Sequence, residues 1–72
     1  MKTVLVFGTF DLLHPGHKWF LRHAAKFGNR LAVVVARDKN VEKLKNRAPI
    51  WDENRRLKEV GGLPFVDQAF LG

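Results

Sequence analysis

Two histidines stand three residues apart in the stretch Gly8-Thr9-Phe10-Asp11-Leu12-Leu13-His14-Pro15-Gly16-His17. At that spacing one helical turn stacks both imidazoles on one side. Thr9 adds a hydroxyl, and the N–H groups of Phe10 and Asp11 add donors. Gly8 lets backbone approach a ligand closely. Pro15 suits a first helical turn, where its missing N–H costs nothing. A helix start is an anion site in its own right, because free N–H groups and the dipole both favour negative charge. Converged, these groups form a polyphosphate site with transition-state stabilisers. The blander alternatives are solvated histidines and a Thr9 that bonds only its own turn. Asp11 reads two ways, as a ligand contact or as an acceptor that holds the turn through backbone N–H groups.

The elements around this stretch must be a strand before it and a helix after it. Lys2 to Phe7 is nearly all apolar, as suits a strand covered on both faces in a parallel sheet. A helix from Pro15 to Phe27 follows and stops at Gly28-Asn29. Phe20, Ala24 and Phe27 are expected on the sheet, with Arg22 and Lys26 in water. Leu31 to Ala36 is β-branched and apolar, so it reads as the central strand. Strand, helix, strand at this spacing gives a right-handed parallel pair, whose ligands bind beyond the carboxyl ends of the strands. The signature turn and Arg37-Asp38 share that edge. Asp38 to Ile50 reads as a polar connection with a short helical turn around Asn40 to Leu44, crowded by Lys43, Lys45 and Arg47. Asp52 should cap a second helix, Glu53 to Val60, with Leu57 and Val60 inward and Gly61-Gly62 as its stop. Phe65 to Leu71 is expected as the third strand, with Pro64 at its start. The fold expected is α/β: a three-layer Rossmann-like half-domain, β-α-β-α-β, with parallel strand order 3-2-1.

Seventy-two residues with 46% apolar content and a net charge of +6 make one domain, 1–72, with a modest core. There is no cysteine, which excludes disulfide and thiolate chemistry and fits a cytoplasmic location. No apolar run approaches a membrane span. The positive charge suits an anionic ligand such as a nucleotide. Nucleic acid is disfavoured, because the cations are scattered and loop-borne rather than set in one stripe with aromatics. Trp19 and Trp51 read as packing residues, and His23 as a surface one.

The ten residues GTFDLLHPGH resemble the signature of the cytidylyltransferase-like nucleotidyltransferases, whose hallmark is His-x-Gly-His. The stretch Val33 to Lys43, VVVARDKNVEK, is most similar to the archaeal-type FAD synthase branch of that family. The resemblance implies transfer of a nucleotidyl group from ATP or CTP to a phosphorylated acceptor, with release of pyrophosphate and Mg²⁺ on the triphosphate. FMN is the first acceptor implied and glycerol 3-phosphate the second. It assigns His14 and His17 to the phosphates. Lys43 and Lys45 become the paired lysines of a basic loop. Arg55 becomes the site-facing arginine at the start of the second helix, and Arg56 is left at the surface. The catalytic set is then His14, His17, Lys43 and Arg55. The binding set is Gly8, Thr9, Phe10, Asp11, Gly16, Asp38 and Lys45, with no protein-bound metal.

In the resembling family further strands and a Ser/Thr-rich phosphate motif follow the half matched by this chain, and the helical run is longer than Gly61-Gly62 allows. Little turnover is therefore expected from the chain alone. The alternative is an inactive or designed half-domain that binds phosphate weakly or not at all. In either case strand one is left as an unprotected edge, which predicts a homodimer through antiparallel pairing of two such strands.

Overall fold

The computed structural model describes residues 2–72. The elements run β1 (Thr3–Gly8), α1 (Pro15–Ala25), β2 (Arg30–Val35), α2 (Asp38–Lys45), α3 (Glu53–Gly61) and β3 (Gln68–Leu71). The sheet is parallel throughout, in the order β1-β2-β3, with Val6 beside Val33 and Val33 beside Ala69. This is the expected α/β topology, read from its other edge.

Each β-α-β crossover is right-handed by preference, and two successive crossovers in one direction place α1 and α3 on the same face. The core lies between them and the sheet. Val6, Leu31, Val33 and Val35 meet Leu21 of α1 and Val60 of α3, with Phe10 and Val66 sealing the ends. The other face carries Leu5, Phe7 and Phe70, which are 52%, 68% and 40% exposed. There α2 stands at the carboxyl end, where Asn40, Lys43 and Leu44 line a cavity of about 390 Å³ with Phe7 and Val34. Strand β1 is thus covered on one face only, although its sequence suits burial on both.

Several boundaries differ from expectation for local reasons. The inward stripe of α1 is Leu21, Ala24 and Ala25, at i, i+3 and i+4. Phe20 is one step around the helix and 48% exposed, and Phe27 lies past the helix end at 70%. Both were expected on the sheet. The helix stops at Ala25, three residues before Gly28. A Cβ on Gly28 would sit 2.6 Å from the Lys2 carbonyl oxygen, so glycine is required for the chain to turn against β1. The connection after β2 is a full helix over Asp38–Lys45 rather than a single turn, closed by Asn46 at φ 59°. At its start the Asp38 N–H donates to Glu53 Oε1 at 2.9 Å. β3 begins at Gln68, later than Phe65, because Pro64 belongs to a turn and the Asp67 N–H already bonds the Leu31 carbonyl. Asp52 caps α3 as expected, accepting from Arg55 N at 2.8 Å.

Candidate functional site

The turn leaving β1 is shaped by two non-glycine residues in the left-handed region, Phe10 at φ 55° and Leu12 at φ 54°. That conformation sends the Phe10 ring back into the core, where the side chain is 5% exposed. The ring lies over Gly8, and a Cβ there would sit 2.6 Å from it. Gly8 is therefore needed to seat Phe10, a reason that the spacing of the motif does not disclose. Among the described residues the backbone N–H groups of Phe10 and Asp11 donate to no main-chain acceptor.

The two histidines build the start of α1 between them. His14 is the N-cap, and its Nδ1 accepts from the Gly16 N–H at 3.0 Å. In return His17 Nδ1 accepts from the His14 N–H at 3.3 Å. The pattern is a capping box with imidazoles in place of hydroxyl and carboxylate. The rings stack, centroids 3.8 Å apart. Because each Nδ1 accepts, Nε2 is the nitrogen left on each ring to carry a proton and donate. Burial, with His14 and Lys45 nearby, holds the His17 imidazolium pKa below its ordinary value of 6.5. His17 is thus neutral at physiological pH and can act as a hydrogen-bond donor without being a fixed cation. A Cβ on Gly16 would come within 2.8 Å of the His14 ring, so the glycine of His-x-Gly-His is there to let that ring fold down.

A cleft of about 340 Å³ opens beside this turn, lined by Phe7, Gly8, Thr9, Phe10, Asp11, His17, Phe20 and Lys45. It brings together six of the residues singled out from the sequence: Gly8, Thr9, Phe10, Asp11, His17 and Lys45. His14 joins through its stack on His17, with Gly16 beneath it. Lys43 does not line this cleft but the adjoining cavity, which shares Phe7 with it. The Arg55 guanidinium sits 4.5 Å from the centre of the Trp51 ring, and neither residue lines the cleft. Phe7 and Phe20 line it unforeseen, and both are exposed.

Asp11 and Arg56 hold the cleft in shape. The Asp11 carboxylate accepts from the N–H groups of Ile50 and Trp51, both at 2.9 Å. It therefore ties down the segment between α2 and α3, not its own turn. Desolvation pushes its pKa up, but these two amides, with Arg56 and Arg47, outweigh that and hold it below 3.8. Arg56 was expected at the surface and is fully buried. Its guanidinium donates to the carbonyls of Thr9 at 2.9 Å, Ala36 at 2.7 Å and Trp51 at 3.0 Å, and pairs with Asp38 at 2.7 Å. It thereby satisfies carbonyls at the carboxyl ends of β1 and β2 at once. One signal for it was in the sequence: Arg56 precedes the inward Val60 by one helical turn, on the same face of α3. Asp38 is accordingly a partner of Arg56 in this structure and stands behind the cleft.

No group of three or more His, Cys, Asp or Glu side chains among the described residues could hold a metal ion. No helix among them is long and apolar enough to cross a membrane. The profile of the Cytidylyltransferase-like family matches residues 5–71. The chain is 51% identical over 75 residues to an FAD synthase of Methanothermobacter thermautotrophicus, matching all of this chain and 49% of that one. It is 53% identical over 72 residues to an FAD synthase of Aciduliprofundum boonei, where it covers 48%. The chain thus spans about half the length of the curated relatives it matches. In three dimensions it resembles the crystal structure of a lipopolysaccharide core biosynthesis protein from Thermoplasma volcanium. The TM-score is 0.93 at 44% identity, covering all of this chain and 58% of that one.

Proposed function

From the premise that this chain belongs to the cytidylyltransferase-like family, we propose that it is the phosphate-gripping half of a nucleotidyltransferase that adenylylates FMN from ATP. Support for the reaction class comes from the family match. Support for ATP and FMN comes from the FAD synthases among its relatives. The observation that carries the proposal is the reciprocal histidine cap. It spends the Nδ1 of both rings on the helix start and frees both Nε2 atoms beside a cleft that also holds Thr9 and Lys45.

In this reading the FMN phosphate oxygen attacks the α-phosphorus of ATP in line. The bond to the bridging oxygen of the β-phosphate breaks, and pyrophosphate leaves with that electron pair. The attacking phosphate is already ionised, so no protein nucleophile is needed. The chain's own work is to position and to stabilise charge. Thr9 and the Phe10 and Asp11 N–H groups hold phosphate oxygens. His14 and His17 donate from Nε2 to the oxygens of the five-coordinate phosphorus, and Lys45 neutralises the departing pyrophosphate. Mg²⁺, when bound, would neutralise triphosphate charge. The donor set fits an ion carried in by the phosphates rather than caged by protein, because both Asp11 oxygens accept amides and Asp38 is paired with Arg56. The cytoplasm, where both substrates occur, is part of the same proposal.

The test is amide chemical-shift titration with ATP, followed by assay for FAD. Shifts centred on Gly8 to His17 with affinity of about millimolar are expected, and His14→Ala with His17→Ala should abolish both binding and any product. Shifts elsewhere, or FAD formed by the double variant, would refute the assignment. CTP with glycerol 3-phosphate is the control pair. Because the relatives are about twice as long, binding with little turnover is the second reading, distinguished by shifts without product.

A further inference from the structure

Strand β1 is bonded on one side only. The Lys2 carbonyl accepts from the Asn29 and Arg30 N–H groups, and the Gly8 carbonyl from Ala36 N–H, so the even-numbered residues turn their polar groups toward β2. Alternation along the strand then turns the N–H and C=O groups of Thr3, Leu5 and Phe7 outward. Among the described residues no strand pairs with that edge. It carries no charged side chain from Thr3 to Gly8, in a chain of net charge +6. Its outer face presents Leu5 and Phe7, more than half exposed, and α1 exposes Phe20 beside it.

We propose that a second copy of the chain seats on this edge, and that it completes the phosphate cleft. The edge is self-complementary in both respects that matter. It has a row of donors and acceptors that needs an extended partner, and it is free of charge where the rest of the molecule would repel a copy of itself. Antiparallel pairing about a two-fold axis gives one sheet ordered 3-2-1-1′-2′-3′. Side chains directly opposite must share a face, which restricts the register to even sums of residue numbers. Two such registers match apolar with apolar at the centre, but one of them sets Phe7 against Thr3; the other sets Leu5 opposite Phe7 of the other copy and Val6 opposite Val6, the latter a pair without mutual hydrogen bonds and with Cα atoms about 4.5 Å apart. In that register the partner's Val4 lies opposite Gly8, where β1 ends, and the partner's Lys2 follows two residues further on, toward the cleft lined by Gly8, Thr9 and His17. This last step rests on the phosphate reading above. It couples the two events: an anion in the cleft offsets the charge of the partner's Lys2, so ligand and dimer strengthen each other by the same factor.

Sedimentation of the full chain from micromolar to millimolar concentration should show a dimer. Leu5→Lys should give a folded monomer by circular dichroism, since Leu5 is half exposed in the single chain. Leu44→Lys, on α2 and 83% exposed, should leave the dimer intact. A folded monomer throughout, or a dimer broken by Leu44→Lys and not by Leu5→Lys, overturns the proposal. The chain has no cysteine, so a single introduced thiol reports only contacts between copies. Val6→Cys should oxidise to a crosslinked dimer, whereas crosslinking of Leu5→Cys alone, or of neither, refutes this register. These readouts need no ligand, so they stand or fall apart from the phosphate reading. Inorganic pyrophosphate should then tighten the wild-type dimer several-fold and leave that of Lys2→Gln unchanged. Equal tightening of both removes Lys2 from the cleft.

Discussion

Gly16 is the residue on which the geometry of the histidine pair depends. With a methyl group in its place, the His14 ring must leave the position from which Nδ1 accepts the Gly16 N–H. Two effects on stability oppose each other. Loss of the cap costs about 1 kcal/mol, and alanine in place of glycine in a helix returns up to about 1 kcal/mol. Gly16→Ala should therefore melt within about 4–8 °C of the wild type. Phosphate affinity should fall about tenfold, the worth of one hydrogen bond to a charged group. Calorimetric melting with an isothermal titration of pyrophosphate separates the two. Undiminished affinity would show that the His14 orientation is not needed.

At the scale of elements, two side chains hold together what the chain separates. Arg56 joins α3 to the carboxyl ends of β1 and β2. Arg56→Met would leave three part-buried carbonyls without this donor, and the one-third-exposed Asp38 without its cation. Losing the donor of a part-buried carbonyl costs about 1–3 kcal/mol, so the three together are comparable to the whole stability a domain of this size draws from its core. The variant should be unfolded by circular dichroism at 25 °C, and a folded one would mean that the network contributes little. Asp11 does the same for the segment entering α3. An amide offers one acceptor where the carboxylate offers two, and it turns an N–H toward an N–H. Asp11→Asn should release one of the Ile50 and Trp51 amides, read as faster hydrogen exchange there with β1 and β2 unchanged. Protection retained at both amides would contradict that tie.

For the molecule as a whole, acid acts through His17 and Asp11 in the same direction. The folded chain holds the His17 pKa below 6.5 and the Asp11 pKa below 3.8. In each case the unfolded chain takes up protons first as pH falls, so each contribution to stability is fully present above the ordinary value and is lost on acidification. Melting temperature should begin to fall below about pH 6.5 through His17, and fall again below about pH 4 through Asp11. A melting series from pH 8 to pH 3 on wild type and His17→Asn tests this. The variant should lose the first decline and keep the second, and an unchanged first decline would assign it elsewhere.

Some of this architecture is written in local sequence because its physics is local. The run Leu31 to Val35 is a central strand because only burial on both faces suits five successive apolar residues. Asp52 caps a helix through an atom three residues away, and His14 and His17 cluster because a helical turn places them together. The parallel order follows from two helical crossovers. Other features depend on residues that meet only when the chain closes. Arg56 is buried because carbonyls from Thr9, Ala36 and Trp51 converge on one point, although its inward phase on α3 was legible. Asp11 reaches amides about forty residues on, which no spacing rule near Asp11 announces. Phe10 enters the core because the turn takes a left-handed conformation, and that turn in turn requires Gly8. Lys43 and Lys45 are two residues apart, yet they line different cavities, since two residues along a helix are some 200° apart around its axis. The sequence by itself thus determined which chemistry was available and in what order the elements run, because those depend on side-chain type and short-range periodicity. Which groups the cleft gathers, and which carboxylates and cations are already committed to holding it, was decided by tertiary contacts alone.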